Sequence, residues 1–103
     1  MNRYVLIYRG AVQPNDGQQH MTDWMAWVKD LGEAMLDPGT PVHPSHTVTK
    51  AGSQTTGSDN PICGISVIQA DSLDAAIELT KPCPHITIGG SIEVAQAMDL
   101  PMA

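Results

Sequence analysis

The sequence predicts an α+β fold of the ferredoxin-like type, with the element order βαββαβ. Two stretches, near 20–35 and 73–80, place apolar residues at three- and four-residue steps, which is typical of helices. Alternating or continuous apolar runs, typical of strands, occur in "RYVLIY", "ICGISVIQA" and "SIEVAQA". A length of 103 residues predicts that 1–103 form a single domain. The order of these elements suits a ferredoxin-like sheet with helices on one face.

The first strand and the first helix have the clearest signals. Residues 3–8 form a β-branched and aromatic run in which Tyr4 to Tyr8 place apolar side chains on both faces, which predicts a central strand. Asp16, followed three residues later by Gln19, could form a capping box, so the helix is expected to start near 17–20. "DPGTP" is expected to stop this helix. The predicted apolar stripe, with Trp27 and Ala34 on its flank, contains Met21, Trp24, Met25, Val28, Leu31, Gly32 and Met35.

The middle of the chain predicts a constrained second strand and a loop. Because "PVHPSHTVTK" contains two prolines, pairing is expected to begin only at His46 or Thr47. Residues 51–61 are polar and glycine-rich, which predicts a mobile loop. "ICGISVIQA" predicts the third strand, and "DSLDAAIELT" predicts a capped helix that Lys81 and Pro82 end. "SIEVAQA" then predicts the last strand.

Charge and composition restrict the classes of partner. Eleven acidic and five basic residues give a net charge of −6, which argues against nucleic acid and acidic membranes. No run of 18 apolar residues is present, so the chain is expected to be soluble and cytoplasmic. Cys63 and Cys83 fit neither a disulfide framework nor a CxxC pair and are expected to be free thiols.

Few motifs point to a specific chemistry. "HPSH", from His43 to His46, has a spacing that zinc or nickel could use. Cys63, Cys83 and His85 could supply the remaining ligands only if the fold brings them together, so neither a metal nor another cofactor is expected. The tryptophans of "WMAW", Trp24 and Trp27, suit either core anchors or the apolar wall of a ligand pocket. "CPH" is a weak signal for a Cys-His nucleophile pair because a proline separates the two residues.

The predicted site lies where the start of the first helix, the "HPSH" segment and the "CPH" turn converge. His20 and His46 are the candidates for proton transfer, since histidine titrates near neutrality. The candidates for binding are Trp24, Ser45, Cys83 and His85. The alternative is that the histidines are solvated at loop ends.

Several segments together resemble the YCII-related domain family. The resemblance rests on "RYVLIYRG", "WMAWVKDLGEAMLDPGTPVHPSHTV" and "GISVIQADSLDAAIELTKPCPHITIGGSIEV", which cover nearly the whole chain. It implies a dimeric α+β barrel with a pocket between sheet and helices. Some relatives are proposed to act on small ring-containing or halogenated acids through a first-helix histidine and an aspartate near the end of the second helix. In this chain those positions fall near Thr22 and at Cys83.

Two functions remain open at the level of sequence. The first is a small dimeric barrel that binds a small organic ligand, acidic or ring-containing, and acts as a lyase or isomerase by histidine-mediated proton transfer. The second is a non-catalytic ligand-binding or accessory module, because this fold serves many functions. A homodimer is expected in either case, since one helical layer covers only one face of the sheet.

Overall fold

A computed structural model describes residues 1–99; residues 100–103, the end of the predicted domain, lie outside the described part. Helices and strands follow one another in an order that contains the predicted βαββαβ unit, with an added hairpin and an added short helix. The elements are β1 (Asn2–Arg9), α1 (Gly17–Leu31), a 3₁₀ turn (Gly32–Ala34), β2 (Met35–Pro41), β3 (His46–Thr49), β4 (Gly52–Thr55), β5 (Ile62–Ala70), α2 (Leu73–Thr80), α3 (Pro84–Thr87) and β6 (Ser91–Gln96).

The main sheet has four antiparallel strands in the order β2-β5-β1-β6. Strand β1 pairs with both β5 and β6, with Val5 opposite Val67 on one side and Ala95 on the other. The predicted central position of the first strand is therefore confirmed. Taken without the hairpin, this order is that of a ferredoxin-like sheet, so the α+β fold class is confirmed as well.

The two faces of the sheet differ in their burial. Tyr4, Leu6 and Tyr8 of β1 are at most 4% exposed. They form one cluster with side chains from the helices and from β5, among them Trp27, Ile68, Ala76 and Cys83. Val5 and Ile7 point to the opposite face and are only half-buried. The helices thus cover one face, and the other face has no covering layer among residues 1–99.

Helix α1 begins as predicted but buries a different side. Asp16 is the N-cap, and its carboxylate accepts a hydrogen bond from the backbone N–H of Gln19 at 3.1 Å. Trp27, predicted on the flank, is the buried residue, whereas Met21 and Met25 are 58% and 62% exposed. The reason is that the Trp27 indole N–H donates to the Leu79 carbonyl at 3.0 Å, which turns this face of α1 toward α2.

The second strand of the sheet lies earlier than predicted. Helix α1 ends at Leu31, and its C-cap is Gly32, whose φ of +53° suits glycine. "DPGTP" belongs to β2 and is not a helix stop. Gly32 and Met35 are therefore outside α1. Strand β2 is an edge strand with two register shifts, a position at which prolines are tolerated.

Residues 46–55 form a separate hairpin of β3 and β4, in which every residue is exposed. His46 pairs with Thr55 and Thr49 pairs with Gly52. The prediction of a loop over 51–61 is therefore wrong for 52–55 and holds for the segment between β4 and β5. The prediction that His46 starts a strand is right, but that strand pairs with β4 and not with the main sheet.

The second half of the chain follows the predicted elements closely. Ser72 caps α2 by accepting from the Ala75 backbone N–H at 3.1 Å, and α2 ends at Thr80, before Lys81 and Pro82. The segment predicted as a turn contains a four-residue helix, α3, with Pro84 in its first turn. No helix within residues 1–99 has both the length and the apolar character needed to cross a bilayer.

Candidate functional site

A cavity of about 360 Å³ lies between the sheet and α1. It collects side chains from α1, β1, β2, β5 and α3, which are distant in the sequence. No Asp, Glu, Lys or Arg of residues 1–99 lines it. The lining residues are Tyr8, His20, Met21, Trp24, Pro38, Gly39, Thr40, Pro41, Cys63, Gly64, Ile65 and His85. Its chemistry is therefore that of aromatic rings, imidazoles, a phenol and a thiol.

Four aromatic rings form a row along this cavity. The ring centroids are 5.9 Å apart between His20 and Trp24, 5.2 Å between Trp24 and Tyr8, and 5.5 Å between Tyr8 and His85. Such tilted and edge-on contacts are favourable for aromatic pairs. His20 and Trp24 are four residues apart on α1, so one helix face carries both. The row places an imidazole at each end of an apolar wall.

Tyr8 is tied to the sheet by a short chain of hydrogen bonds. Its hydroxyl donates to Ser66 Oγ at 2.8 Å, and Ser66 Oγ donates to the Pro38 carbonyl at 3.0 Å. Burial raises the pKa of the Tyr8 phenol well above its ordinary value. Tyr8 is therefore a neutral group at physiological pH and not a base.

Cys63 has its thiol beside the imidazole of His85. Its Sγ lies 3.9 Å from His85 Nε2 and donates to the Tyr8 carbonyl at 3.3 Å. Burial raises the pKa of this thiol. Because thiolate is the nucleophilic form, Cys63 is held in its unreactive state. The geometry gives no support to thiol nucleophilic chemistry.

His85 is only 6% exposed, and two backbone groups hold it in place. Its Nε2 lies 2.9 Å from the carbonyl oxygen of Arg9, and its own carbonyl accepts from the Gly90 N–H at 2.9 Å. A carbonyl oxygen only accepts, so Nε2 is the donor in this bond. The α3 turn therefore positions this imidazole at the cavity instead of leaving it solvated.

The structure brings together only part of the predicted site. His20, Trp24 and His85 line one cavity, so the start of α1 and the "CPH" segment do converge. His46 is exposed on the β3–β4 hairpin, and Ser45, just before it, accepts from the Thr56 backbone N–H at 3.0 Å. Neither residue lines the cavity. The hairpin fold of 46–55 is the physical reason, because it pairs this segment with itself instead of with the main sheet.

Cys83 also lies outside the cavity lining. It is 0% exposed and belongs to the core cluster. Burial raises the pKa of this thiol to about 11. Both Cys63 and Cys83 are free thiols. Cys83 is thus a core residue, and the thiol at the cavity is Cys63.

Sequence reasoning missed Tyr8, Cys63 and Ser66. One signal was present for Ser66, a hydroxyl in the otherwise apolar strand "ICGISVIQA", since a buried polar side chain needs a partner. Cys63 was considered only as a possible metal ligand, because its position at the cavity depends on a register shift between Tyr8 and Arg9 where β1 meets β5.

A second depression, of about 440 Å³, lies between α1 and the α2–α3 segment. Its titratable side chains are the carboxylates of Asp23, Asp30 and Glu78, and it contains no histidine or cysteine. Within the described part of the chain, no three His, Cys, Asp or Glu side chains lie close enough together to hold a metal ion. The cavity with the aromatic row is therefore the candidate site.

These observations define the chain as a ferredoxin-like α+β protein with an aromatic, histidine-bearing cavity beside its sheet. Its structure is similar to that of 5-chloro-2-hydroxyhydroquinone dehydrochlorinase (TftG) from Burkholderia phenoliruptrix AC1100, solved in complex with 2,5-dihydroxybenzoquinone. The TM-score is 0.54 at 18% sequence identity, over 92% of this chain and 93% of that chain. This likeness shows the fold. No protein-family model and no curated protein matches the chain.

Proposed function

We propose that this protein binds a small ring-containing organic molecule in the aromatic cavity and acts on it as a lyase or isomerase by histidine-mediated proton transfer. The observation that carries the proposal is the row His20, Trp24, Tyr8 and His85 along one cavity. A cavity of about 360 Å³ lies within the range of about 300 to 1,000 Å³ that small-molecule sites occupy.

The lining favours a weakly polar ring over a carboxylate. An aromatic wall suits a flat ring, and Tyr8, Thr40 and the two imidazoles supply hydrogen bonds at its edge. The cavity lining contains no Lys or Arg, the side chains that usually pair with a carboxylate. The structural neighbour was solved with 2,5-dihydroxybenzoquinone, which is a flat hydroxylated ring.

The proposed chemistry uses His20 and His85 as the two proton-transfer groups. For an isomerase, a neutral imidazole accepts a proton from the ring, an electron pair shifts within the ring, and the other imidazole, which enters as the cation, gives its proton at a second position. For a lyase, the shifting electron pair instead breaks the bond to a leaving group, which departs with that pair. His46 has no part in this scheme. We also propose membership of the YCII-related family and a homodimer formed through the uncovered sheet face, which carries Val5, Ile7 and Val67.

Ligand-dependent stabilisation tests the binding step. Hydroquinone at a hundred times its dissociation constant should stabilise the native state by about 2.7 kcal/mol. Trp24→Ala should lose most of this effect, because it removes the wall of the cavity. The matched control is His43→Gln, in the exposed segment before β3. No stabilisation of the wild type by hydroquinone would overturn the proposal, and binding without any turnover would favour a non-catalytic module.

A further inference from the structure

We infer that His85 presents its Nδ1 lone pair to the cavity as the proton acceptor, and that the Arg9 carbonyl and Gly90 hold it in this state. This inference rests on the proposed function and deepens it, since it assigns the acceptor atom and the kind of ligand that the atom selects. Neither Arg9 nor Gly90 lines the cavity. Their role would be to position the imidazole.

The first step concerns which nitrogen carries the proton. Nε2 is 2.9 Å from the Arg9 carbonyl oxygen, and this oxygen has no proton to give. Nε2 must therefore carry the hydrogen, and a neutral His85 keeps its lone pair on Nδ1. The thiol of Cys63 does not compete, because it donates to the Tyr8 carbonyl at 3.3 Å.

The second step concerns where Nδ1 is exposed. His85 makes its side-chain hydrogen bonds to described residues through Nε2 alone. Yet among residues 1–99 no buried side-chain nitrogen or oxygen is left without a partner. Nδ1 is therefore accessible, although the residue as a whole is only 6% exposed. Because His85 lines the aromatic cavity, the inference assigns this accessible nitrogen to that cavity.

The third step concerns what holds the ring in place. Gly90 lies against the imidazole so closely that a Cβ at this position would come within 2.5 Å of His85 Cε1 and 2.6 Å of Cδ2. Any side chain at Gly90 would push the ring out of its place. The Tyr8 ring packs edge-on against the imidazole at a centroid distance of 5.5 Å. The Gly90 backbone and the Tyr8 ring thus both restrict the orientation of the imidazole.

A ligand suited to this atom must bring a hydrogen-bond donor. On transfer, the ligand O–H bond breaks, an Nδ1–H bond forms, and the ring oxygen keeps the electron pair. A site built for a donor discriminates against an isostere that lacks it, because the buried acceptor is then left unpaired. The site should therefore select hydroxylated rings over rings of the same shape without a hydroxyl.

Nitrogen NMR of the His85 imidazole tests the acceptor assignment without any ligand. In ¹⁵N-labelled protein at a pH where His85 is neutral, we expect Nδ1 to have the shift of an unprotonated nitrogen and Nε2 that of a protonated one. Saturating hydroquinone should move the Nδ1 resonance more than the Nε2 resonance. An unprotonated Nε2, or an Nδ1 that does not respond to bound hydroquinone, would overturn the inference.

A pair of near-isosteric rings tests the selectivity. Hydroquinone should bind at least about tenfold more tightly than 1,4-difluorobenzene, which has no donor. Equal affinities would overturn the inference while leaving the proposed function intact. Failure of hydroquinone to bind at all would count against the proposed function, whereas the imidazole shifts of the ligand-free protein decide the acceptor assignment separately.

Two glycine variants test the positioning role. Gly90→Ala should abolish the distinct shifts of the two His85 nitrogens and weaken hydroquinone binding. Gly57→Ala is the matched control, since a Cβ at Gly57 meets nothing within 4 Å. Wild-type imidazole shifts in folded Gly90→Ala would show that Gly90 does not position the ring. If that variant does not fold, the wild-type spectrum and the ring pair still decide the inference.

Discussion

The Tyr8 hydroxyl donates a hydrogen bond to Ser66 Oγ at 2.8 Å inside the core. Ser66 Oγ in turn donates a hydrogen bond to the carbonyl of Pro38. Side-chain hydrogen bonds therefore join β1, β5 and β2, in addition to the backbone hydrogen bonds of the sheet. These two hydrogen bonds hold the Tyr8 ring at the cavity beside His85, and they require β2 to lie close to β5.

Gly39→Ala should disturb the hydrogen bonds of Ser66 and destabilise the protein. Gly39 has a φ of +117°, and a Cβ there would lie 2.6 Å from both Ser66 Oγ and the Ile65 carbonyl oxygen. Because both strain and overlap act, we expect the free energy of unfolding to fall by about 2 kcal/mol or more, measured by urea denaturation. Gly57→Ala serves as the control and should change it by less than about 0.5 kcal/mol. Equal stabilities of the two variants would contradict this account of β2.

Trp27→Phe should weaken the contact between the first two helices. The substitution removes the indole N–H that donates to the Leu79 carbonyl at 3.0 Å and shrinks a side chain that is 4% exposed. We expect a loss of about 2 kcal/mol in the free energy of unfolding. Met25→Ala, on the exposed side of α1, should cost far less. A similar loss in both variants would mean that Trp27 does not anchor the helix.

Stability should decline at alkaline pH as Cys83 titrates. Burial raises the pKa of this thiol from 9.0 to about 11. The unfolded chain therefore releases the proton first as the pH rises, and the unfolded state binds fewer protons between these two values. The stability that the protonated, buried thiol contributes is fully present below pH 9.0 and lost by about pH 11. This loss lowers the free energy of unfolding by at most about 3 kcal/mol.

Cys83→Ala separates this effect from other alkaline titrations. The variant should lose less stability than the wild type between pH 9.0 and about 11, since it has no buried thiol to ionise. Urea midpoints at several pH values measure the difference. The same slope in both proteins would show that Cys83 does not control alkaline stability.

The uncovered sheet face should hold two copies together. Val5 and Val67 are paired at the centre of this face, where a charge would be buried on association. Sedimentation of the wild type should give a dimer at micromolar concentration, and Val67→Lys should give a folded monomer. Met25→Lys, on the outer side of α1, is the control and should remain dimeric. A monomeric wild type would rule out this interface.

Hydroquinone should bind more tightly than benzoate. The two rings are alike, but benzoate carries a full negative charge and the cavity lining has no Lys or Arg to pair with it. We expect at least about a tenfold difference in the dissociation constant, measured by calorimetry at neutral pH. Tighter binding of benzoate would point to an acid as the natural ligand instead of a hydroxylated ring.

The sequence predicted the elements whose periodicity is strong. β1, the start of α1, β5 and α2 lie where alternation and capping residues place them. Strand β2 was not predicted, because "DPGTP" has the composition of a segment that ends a helix. Two prolines are tolerated there because β2 lies at the edge of the sheet. Tertiary pairing thus overrode local preference.

The candidate site was predictable only where one helix carries two of its members. His20 and Trp24 are four residues apart, so their contact follows from helix geometry. His85 was named without its partners, since its bond to the Arg9 carbonyl joins residues 76 apart. His46 was predicted to belong to the site because its strand was expected to lie in the main sheet. In the structure that strand pairs with β4 instead.

A structure of the protein crystallised with hydroquinone tests the central claim most directly. The account predicts the ring in the aromatic cavity, against Trp24, with one hydroxyl oxygen within hydrogen-bonding distance of His85 Nδ1. Hydroquinone bound in the carboxylate-lined depression between α1 and α2, or absent from the aromatic cavity at saturating concentration, would contradict it.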